Sequence, residues 1–127
     1  MRSIVRVRDV MSSPPVDVVP ETSLRDVAAL LDEHEIGVVV VLGADGLEGV
    51  VSERDVVRAL GQGADMDATC AADVMATEPV WVTEDDTVDD AAASMADEAV
   101  RHLPVLDEDG QICGILSSRD VLRVLSA

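Results

Sequence analysis

The feature that most constrains the fold of this chain is an internal repeat that covers nearly all of it. Two runs occur twice: Asp9-Val10-Met11 and Asp73-Val74-Met75, which are 64 residues apart, and GVVSERDVVRAL (Gly49 to Leu60) and GILSSRDVLRVL (Gly114 to Leu125), which are 65 apart. The additional residue lies after Asp109-Gly110, in a turn, where an insertion is tolerated. A repeat of this length is long for a solenoid unit and short for a separate domain. We therefore expect two copies, residues 1–62 and 63–127, to share one core.

Each copy has the pattern of strand, helix, strand, strand, helix. Ser23 and Thr87 are candidate N-caps, each followed three residues later by an aspartate and then by apolar residues at helical spacing. Asp45-Gly46 and Asp109-Gly110 join β-branched runs, as in hairpins. Residues 61–72 are rich in Gly, Ala, Asp and Thr and indicate a linker. The pattern predicts an α/β (α+β) fold of two β-α-β-β-α repeats.

The composition excludes several classes of protein. The net charge of −17 disfavours binding to nucleic acid and to anionic membranes. The longest apolar run, Val38 to Leu42, is too short to cross a bilayer, and arginines interrupt the N-terminal region where a signal peptide would be apolar. The two cysteines fit no zinc or CxxC spacing and indicate reduced thiols in a cytoplasmic protein. The acidic bias has two open explanations, a salt-rich (halophilic) cytoplasm or GC-rich codon usage.

The residues that carry the chemistry are expected where the last strand of each copy meets the last helix. A helix N-terminus has free amides and a positive dipole end, which suit a phosphate. Ser52 and Ser117 lie at these junctions, and Asp55 and Asp120 lie one turn later, where a carboxylate can accept hydrogen bonds from a ribose diol. The structural alternative is a serine N-cap with a first-turn acid, and both interpretations stay open at this level.

The repeated motifs resemble a known family. Asp-Val-Met with a following Pro-Val, the run from Arg101 to Asp107 (RHLPVLD) and the two endings of the form Gly-x-x-Ser-x-Arg-Asp are similar to those of tandem cystathionine β-synthase (CBS) domain pairs, also called Bateman modules. The resemblance covers essentially the whole chain. It implies two β-α-β-β-α repeats packed with pseudo-twofold symmetry, two clefts that bind AMP, ADP, ATP or S-adenosylmethionine, and a homodimer.

The resemblance also implies which positions contact the ligand. Ser52 and Asp55 would serve one cleft, and Ser117 and Asp120 the other. The further candidates are the neighbouring arginines, the residues bordering the adenine and those before each middle strand: Arg54, Arg119, Val16, Val80, Gly37, Val38, Arg101 and His102. Repeat one lacks the cations that repeat two offers upstream of its middle strand, so we expect the Ser117/Asp120 cleft to bind phosphate-bearing ligands first.

The function that follows is a stand-alone regulatory module that binds an adenine nucleotide or adenosyl ligand and acts in trans on an unknown partner protein. No arrangement of residues typical of a nucleophile, a metal site or a Walker loop occurs, so we expect no enzyme activity, no catalytic or metal-binding residue and no required cofactor. The alternative is a ligand-free dimerisation or scaffold protein. Trp81 is expected in core or interface packing. The particular nucleotide, the regulated target and the dimer orientation stay open.

Overall fold

Each repeat builds its own β-sheet in the computed structural model, which describes residues 4–126. In chain order the elements are α1 (Val7–Val10), β1 (Asp17–Val18), α2 (Leu24–His34), β2 (Val38–Gly43), β3 (Gly46–Ser52), α3 (Glu53–Gly61), α4 (Ala71–Val74), β4 (Ala76–Thr77), β5 (Val82–Thr83), α5 (Val88–Glu98), β6 (His102–Leu106), β7 (Ile112–Ser117) and α6 (Ser118–Ser126). One sheet has the strand order β1-β2-β3-β4 and the other β5-β6-β7. The mixture of helices with two sheets confirms the predicted fold class.

Local sequence signals place the first long helix and the hairpin of each repeat. The Ser23 hydroxyl accepts a hydrogen bond from the amide of Asp26 at 3.2 Å, and the Thr87 hydroxyl accepts one from the amide of Asp90 at 3.1 Å. Both residues are therefore the N-caps that the sequence predicts. β2 pairs with β3 and β6 with β7, both antiparallel, across the predicted turns.

The compact units of the chain do not follow the sequence repeats. One unit, here called the contiguous unit, is Val16–Pro79, and the other, the composite unit, joins Met1–Pro15 to Val80–Ala127. The predicted boundary between residues 62 and 63 separates sequence copies and stays a prediction. Each unit thus contains the leading segment of the other repeat.

In the composite unit, α1 and the residues before it pack against the start of α5. The amide of Val7 donates to the carbonyl of Asp86 at 2.9 Å, and the amide of Val88 donates to the carbonyl of Val5 at 2.9 Å. Val88 is the first residue of α5, so this second bond satisfies one of the amides that a helix N-terminus leaves without an intrahelical partner.

The contiguous unit has the equivalent arrangement between α4 and α2. The positions in α4 lie 64 residues after those in α1, and the positions in α2 lie 64 residues before those in α5. The amide of Ala71 donates to the carbonyl of Thr22 at 2.8 Å, and the amide of Leu24 donates to the carbonyl of Thr69 at 2.9 Å. The Arg25 guanidinium also binds the Asp67 carboxylate. Residues 66–72, predicted as part of a linker, are therefore fastened to α2.

The core of each unit is aliphatic, as the near absence of aromatic residues requires. Val39, Val41 and Val51 are fully buried in the contiguous unit, and Leu103 and Leu116 are fully buried in the composite unit. No helix within residues 4–126 combines the length and the apolar character needed to cross a bilayer.

Trp81 differs from its expected place in the core. Its surface is 53% exposed, next to β5, which is an edge strand of its sheet. Its neighbour Val82, the first residue of β5, faces the opposite side of the sheet and is buried. Core packing of Trp81 is therefore wrong, and interface packing stays a prediction.

The repeated glycine and methionine have a joint structural role. A Cβ on Gly49 would lie 2.6 Å from the carbonyl oxygen of Ala76 and 2.9 Å from the sulfur of Met75. A Cβ on Gly114 would lie 2.7 Å from the sulfur of Met11, with a backbone carbonyl at 2.8 Å. The methionine of each Asp-Val-Met motif therefore covers the glycine of β3 or of β7 in the same unit, where a larger residue has no room.

Candidate functional site

Ser52 and Asp55 form a reciprocal cap at the start of α3. The amide of Ser52 donates to Asp55 Oδ2 at 2.9 Å, and the amide of Asp55 donates to Ser52 Oγ at 3.2 Å. The serine hydroxyl also donates to Oδ2 at 3.0 Å. This is a capping box, the structural role that the sequence left open as an alternative.

The same cap is present at the start of α6. The amide of Ser117 donates to Asp120 Oδ2 at 2.9 Å, and the amide of Asp120 donates to Ser117 Oγ at 3.2 Å. Asp120 is only 8% exposed, whereas Asp55 is half-buried. A buried carboxylate needs such partners, because burial without them costs free energy.

The second carboxylate oxygen of each aspartate faces an arginine one turn further along its helix. Arg58 Nη1 lies 3.3 Å from Asp55 Oδ1, and Arg123 Nη1 lies 3.7 Å from Asp120 Oδ1. Both arginine side chains are largely exposed, so each pair contributes little to stability. Sequence reasoning did not single out these two arginines, although the repeat carries Arg three residues after Asp in both copies.

In the contiguous unit the residues before β2 lie beside the cap. Val38 is the cross-strand partner of Ser52 in the β2–β3 ladder. The amide of Glu53, the first residue of α3, donates to the carbonyl of Gly37 at 2.9 Å. The structure therefore brings together four of the predicted residues of repeat one: Gly37, Val38, Ser52 and Asp55.

In the composite unit the equivalent residues also lie together. His102 is the cross-strand partner of Ser117, and the amide of Ser118 donates to the carbonyl of Arg101 at 2.8 Å. Arg101 is exposed and His102 is half-buried, where repeat one has a small glycine and a buried valine. The surroundings of the two serine–aspartate pairs therefore differ in charge.

The remaining candidates are less closely tied to these pairs. Val16 and Val80 pack against the apolar cores of the contiguous and the composite unit, respectively. The amide of Val40 donates to the carbonyl of Val16 at 3.0 Å, which fixes Val16 beside β2. Arg54 and Arg119 are exposed, and within residues 4–126 no ion pair joins either of them to an aspartate.

The helix amides differ from the sequence-based expectation of a free cradle. In α3 the first amide is bound by the carbonyl of Gly37 and the third by Ser52 Oγ. The first and third amides of α6 are satisfied in the same way. A phosphate at these positions would therefore rely on side chains and the helix dipole more than on unpaired N–H groups. Among the described residues, no three His, Cys, Asp or Glu side chains are grouped so that they could hold a metal ion.

Comparison with known proteins decides the family. The model of the CBS domain matches residues 7–62 and, a second time, residues 71–127. The chain belongs to the CBS domain family. The recognition from its motifs is thereby confirmed, and the serine–aspartate pairs lie near the end of each CBS repeat.

Several relatives resemble this CBS domain pair over nearly its whole length. The uncharacterized protein MK0525 of Methanopyrus kandleri is 35% identical over 130 residues, and the match covers 98% of this chain and 64% of that protein. This chain thus spans slightly less than two thirds of that relative. Other relatives are longer proteins named as enzymes, of which it spans 23% and 24%.

Solved structures of similar fold include complexes with adenosyl compounds. The CBS domain pair of protein MJ0100, in complex with 5′-methylthioadenosine and S-adenosyl-L-methionine, has a TM-score of 0.89 and 26% identity, with 98% of both chains covered. The CBS domain protein PAE2072 from Pyrobaculum aerophilum, complexed with AMP, has a TM-score of 0.86 and 31% identity, with 97% of this chain and 100% of that chain covered.

Proposed function

We propose that this CBS domain pair is a cytoplasmic regulatory module, not an enzyme, that binds an adenine nucleotide or adenosyl ligand and acts in trans on a partner protein. The observation that carries the proposal is the serine–aspartate pair at the start of α3 and again of α6, with the same hydrogen bonds in both repeats. The complexes of related CBS pairs with AMP, S-adenosylmethionine and methylthioadenosine support the ligand class.

The geometry of each pair suits recognition of a ribose diol. In Asp55 and Asp120, Oδ2 is held by the serine, so the orientation of the carboxylate is fixed before a ligand arrives. The other oxygen, Oδ1, pairs with an exposed arginine, which in the case of Asp55 donates a hydrogen bond at 3.3 Å. An ionised carboxylate oxygen has a further lone pair for a hydroxyl donor. A fixed carboxylate loses little entropy on binding, which favours affinity.

We further propose that the two repeats bind phosphate-bearing ligands unequally. Repeat two offers Arg101 and His102 next to its serine and has Ser118 at the first position of the last helix. Repeat one has Glu53 at that helix position. A carboxylate near a phosphate is unfavourable and a cation is favourable, and about 1.4 kcal/mol between the sites corresponds to about a tenfold difference in affinity.

Thermal unfolding with a panel of AMP, ADP, ATP, S-adenosylmethionine and NAD tests the ligand class. A ligand at 100 times its dissociation constant stabilises a one-site fold by about 2.7 kcal/mol. We expect at least one adenosyl compound to raise the melting temperature, while the matching guanosine compound has no effect. Failure of all five to stabilise the protein would favour the ligand-free scaffold.

Titration calorimetry of AMP into single variants tests the assignment of the sites. Asp55→Asn and Asp120→Asn keep an acceptor oxygen for the serine amide, so they change the charge with little damage to the cap. Asp90→Asn, in the first turn of α5, is the control for the loss of one negative charge. We expect Asp120→Asn to remove the tighter binding event and Asp55→Asn to leave it. The reverse result would contradict the proposed inequality, and unchanged binding in both variants would contradict the site.

We also propose that the module forms a homodimer. The last helix of each repeat exposes two apolar residues one turn apart, with exposed fractions of 52% to 66%. These residues are Val57 and Leu60 on α3, and Leu122 and Leu125 on α6. Such apolar pairs are favourable to bury against another surface. Sedimentation equilibrium of the wild type and of Leu60→Glu and Leu122→Glu checks this. A monomeric wild type would contradict it.

A further inference from the structure

A groove on the contiguous unit is lined by none of the candidate ligand-binding residues. It has a volume of about 600 Å³ and runs beside β1 and the flank of α2. Val19, Leu30 and Leu42 give it an apolar lining, and Val19 is 55% exposed. β1 is the outermost strand of its sheet, so this side of the strand has no neighbouring strand. The volume lies in the range of about 300–1,000 Å³ that is typical of ligand pockets, although the groove is open to solvent.

Two carboxylates border this apolar lining. Asp17 and Asp26 line the groove, and both residues are exposed. Within residues 4–126 neither carboxylate takes part in an ion pair. Arg25 adjoins Asp26 in the sequence, but the carboxylate of Asp67 binds its guanidinium. The groove therefore combines an apolar surface with two carboxylates that form no ion pair with the described residues.

The second repeat shows that the fold does not require this lining. At the positions 64 residues later, Val19 is replaced by Thr83 and Leu30 by Ser94. Both α2 and α5 nevertheless form over 11 residues with the same cap. Val19 and Leu30 are thus not required by the fold of the repeat, whereas Leu42 has an apolar counterpart in Leu106.

We propose that this groove docks a segment of a partner protein that presents an apolar side chain next to lysine or arginine. The apolar side chain would contact Val19 and Leu30, and the cation would lie between the carboxylates of Asp17 and Asp26. The net charge of −17 would also accelerate the approach of a basic partner. This inference rests on the proposed action in trans, because it names the chemistry of the partner.

Nuclear magnetic resonance titration with three synthetic peptides tests the groove in the full chain at physiological salt. The probes are acetyl-Gly-Leu-Arg-Leu-Arg-Gly-amide, a peptide with serine in place of leucine, and one with glutamate in place of arginine. We expect the leucine–arginine peptide to shift the amide resonances of Val19 and Leu30, and the other two to bind at least about tenfold more weakly. Equal binding of the serine–arginine peptide would overturn the proposal, because it would show non-specific attraction to an acidic protein.

Matched variants separate the groove from the general charge of the protein. The double variant Val19→Thr with Leu30→Ser carries the residues of repeat two and should bind the leucine–arginine peptide about tenfold more weakly. Asp17→Asn should weaken binding as well, whereas Asp90→Asn removes the same single negative charge and should not weaken it. Equal affinities of the wild type and the double variant would overturn the proposal. If, without any peptide, the double variant sediments with a lower mass than the wild type, the proposal is also overturned, because the occupant of the groove would then be a second copy of the chain.

The groove and the nucleotide site can fail separately. The double groove variant should bind AMP as the wild type does, and Asp120→Asn should bind the leucine–arginine peptide as the wild type does. If the wild type binds AMP but does not bind the leucine–arginine peptide, the groove proposal alone is overturned. Intact peptide binding with no adenosyl ligand found overturns the proposed nucleotide function alone.

Discussion

Replacing Gly49 by alanine should destabilise the contiguous unit, because β3 and β4 approach each other too closely there for a side chain. The new Cβ would lie 2.6 Å from the carbonyl oxygen of Ala76 and 2.9 Å from the sulfur of Met75. The sulfur can move, but the carbonyl belongs to a residue paired with β3 and cannot move alone. Overpacking of this kind costs about 1–3 kcal/mol in the free energy of unfolding.

Gly61→Ala is the matched control in the same unit. Gly61 is the last residue of α3, and a Cβ there would point into open space, with no contact beyond its chain neighbours and the backbone of its own helix. Alanine at such a site restricts the unfolded chain and should stabilise by about 0.4–1 kcal/mol. The same chemical change is thus expected to have opposite signs at positions 49 and 61.

Urea unfolding followed by far-ultraviolet circular dichroism measures the difference. The free energies of unfolding of the two variants should differ by about 1.5–4 kcal/mol. Met75 packs against the core, so Met75→Ala alone is the reference for the double variant. In that background Gly49→Ala should cost less than in the wild type but should still destabilise, because the carbonyl of Ala76 stays in place. A Gly49→Ala protein as stable as the wild type would refute the reasoning, and no cost of Gly49→Ala in the Met75→Ala background would show that the methionine side chain alone causes the effect.

Four further results are expected. Removing residues 1–15 should destabilise the composite unit, which contains Trp81; an unchanged tryptophan-fluorescence transition in urea would contradict this. Burial raises the pKa of the Cys113 thiol, so its alkylation by iodoacetamide should need a higher pH in the native than in the urea-unfolded protein, and equal pH midpoints would disprove it. The Cys70 amide donates to Asp73 and lowers the pKa of that carboxyl, so the contribution of this hydrogen bond to stability is present at neutral pH and is lost below about pH 4. Asp73→Asn should reduce this loss of stability in acid, and an identical pH profile of unfolding in wild type and variant would argue against it. If the net charge of −17 reflects adaptation to salt, molar KCl should raise the melting temperature more than it does for a neutral control protein, and an equal rise would leave codon usage as the explanation.

The parts of the fold that depend on neighbouring residues could be predicted from the sequence. Ser23 and Thr87 cap helices through amides three residues away. Gly46 and Gly110 have positive φ angles of 107° and 78°, which glycine adopts easily, and they turn the hairpins. These signals lie within a few residues of the structure they specify, so the chain alone contains them.

The packing of the leading segments could not be predicted in this way. The amide of Arg8 bonds to the carbonyl of Glu84, and Ser12 pairs with Ile115, although these residues are far apart in sequence. Backbone hydrogen bonds of this kind do not depend on side-chain identity. The repeat could suggest that Met11 does something structural, but not which glycine it covers.

The candidate site was predictable to the level of its aspartates. Ser52 and Asp55 are duplicated as Ser117 and Asp120, and the structure brings each serine to its aspartate. Their role in ligand binding stays a prediction. The sequence could not show that one carboxylate oxygen is already used by the cap. Because of this cap, asparagine is a better test substitution than alanine, which would remove the cap together with any ligand contact.

The discontinuity of the composite unit has a consequence for the order of events during synthesis. All residues of the contiguous unit, Val16–Pro79, are available once Pro79 has left the ribosome, so we expect this unit to fold before the composite unit. Val7 and Ser12 are synthesised before the rest of the composite unit and must wait for their backbone partners, Asp86 and Ile115, respectively. During that interval the apolar side chains of Val5, Val7 and Val10, which pack in the core of the composite unit in the folded protein, lack that core. Nascent chains halted before β7 emerges should therefore be the ones that molecular chaperones bind most strongly.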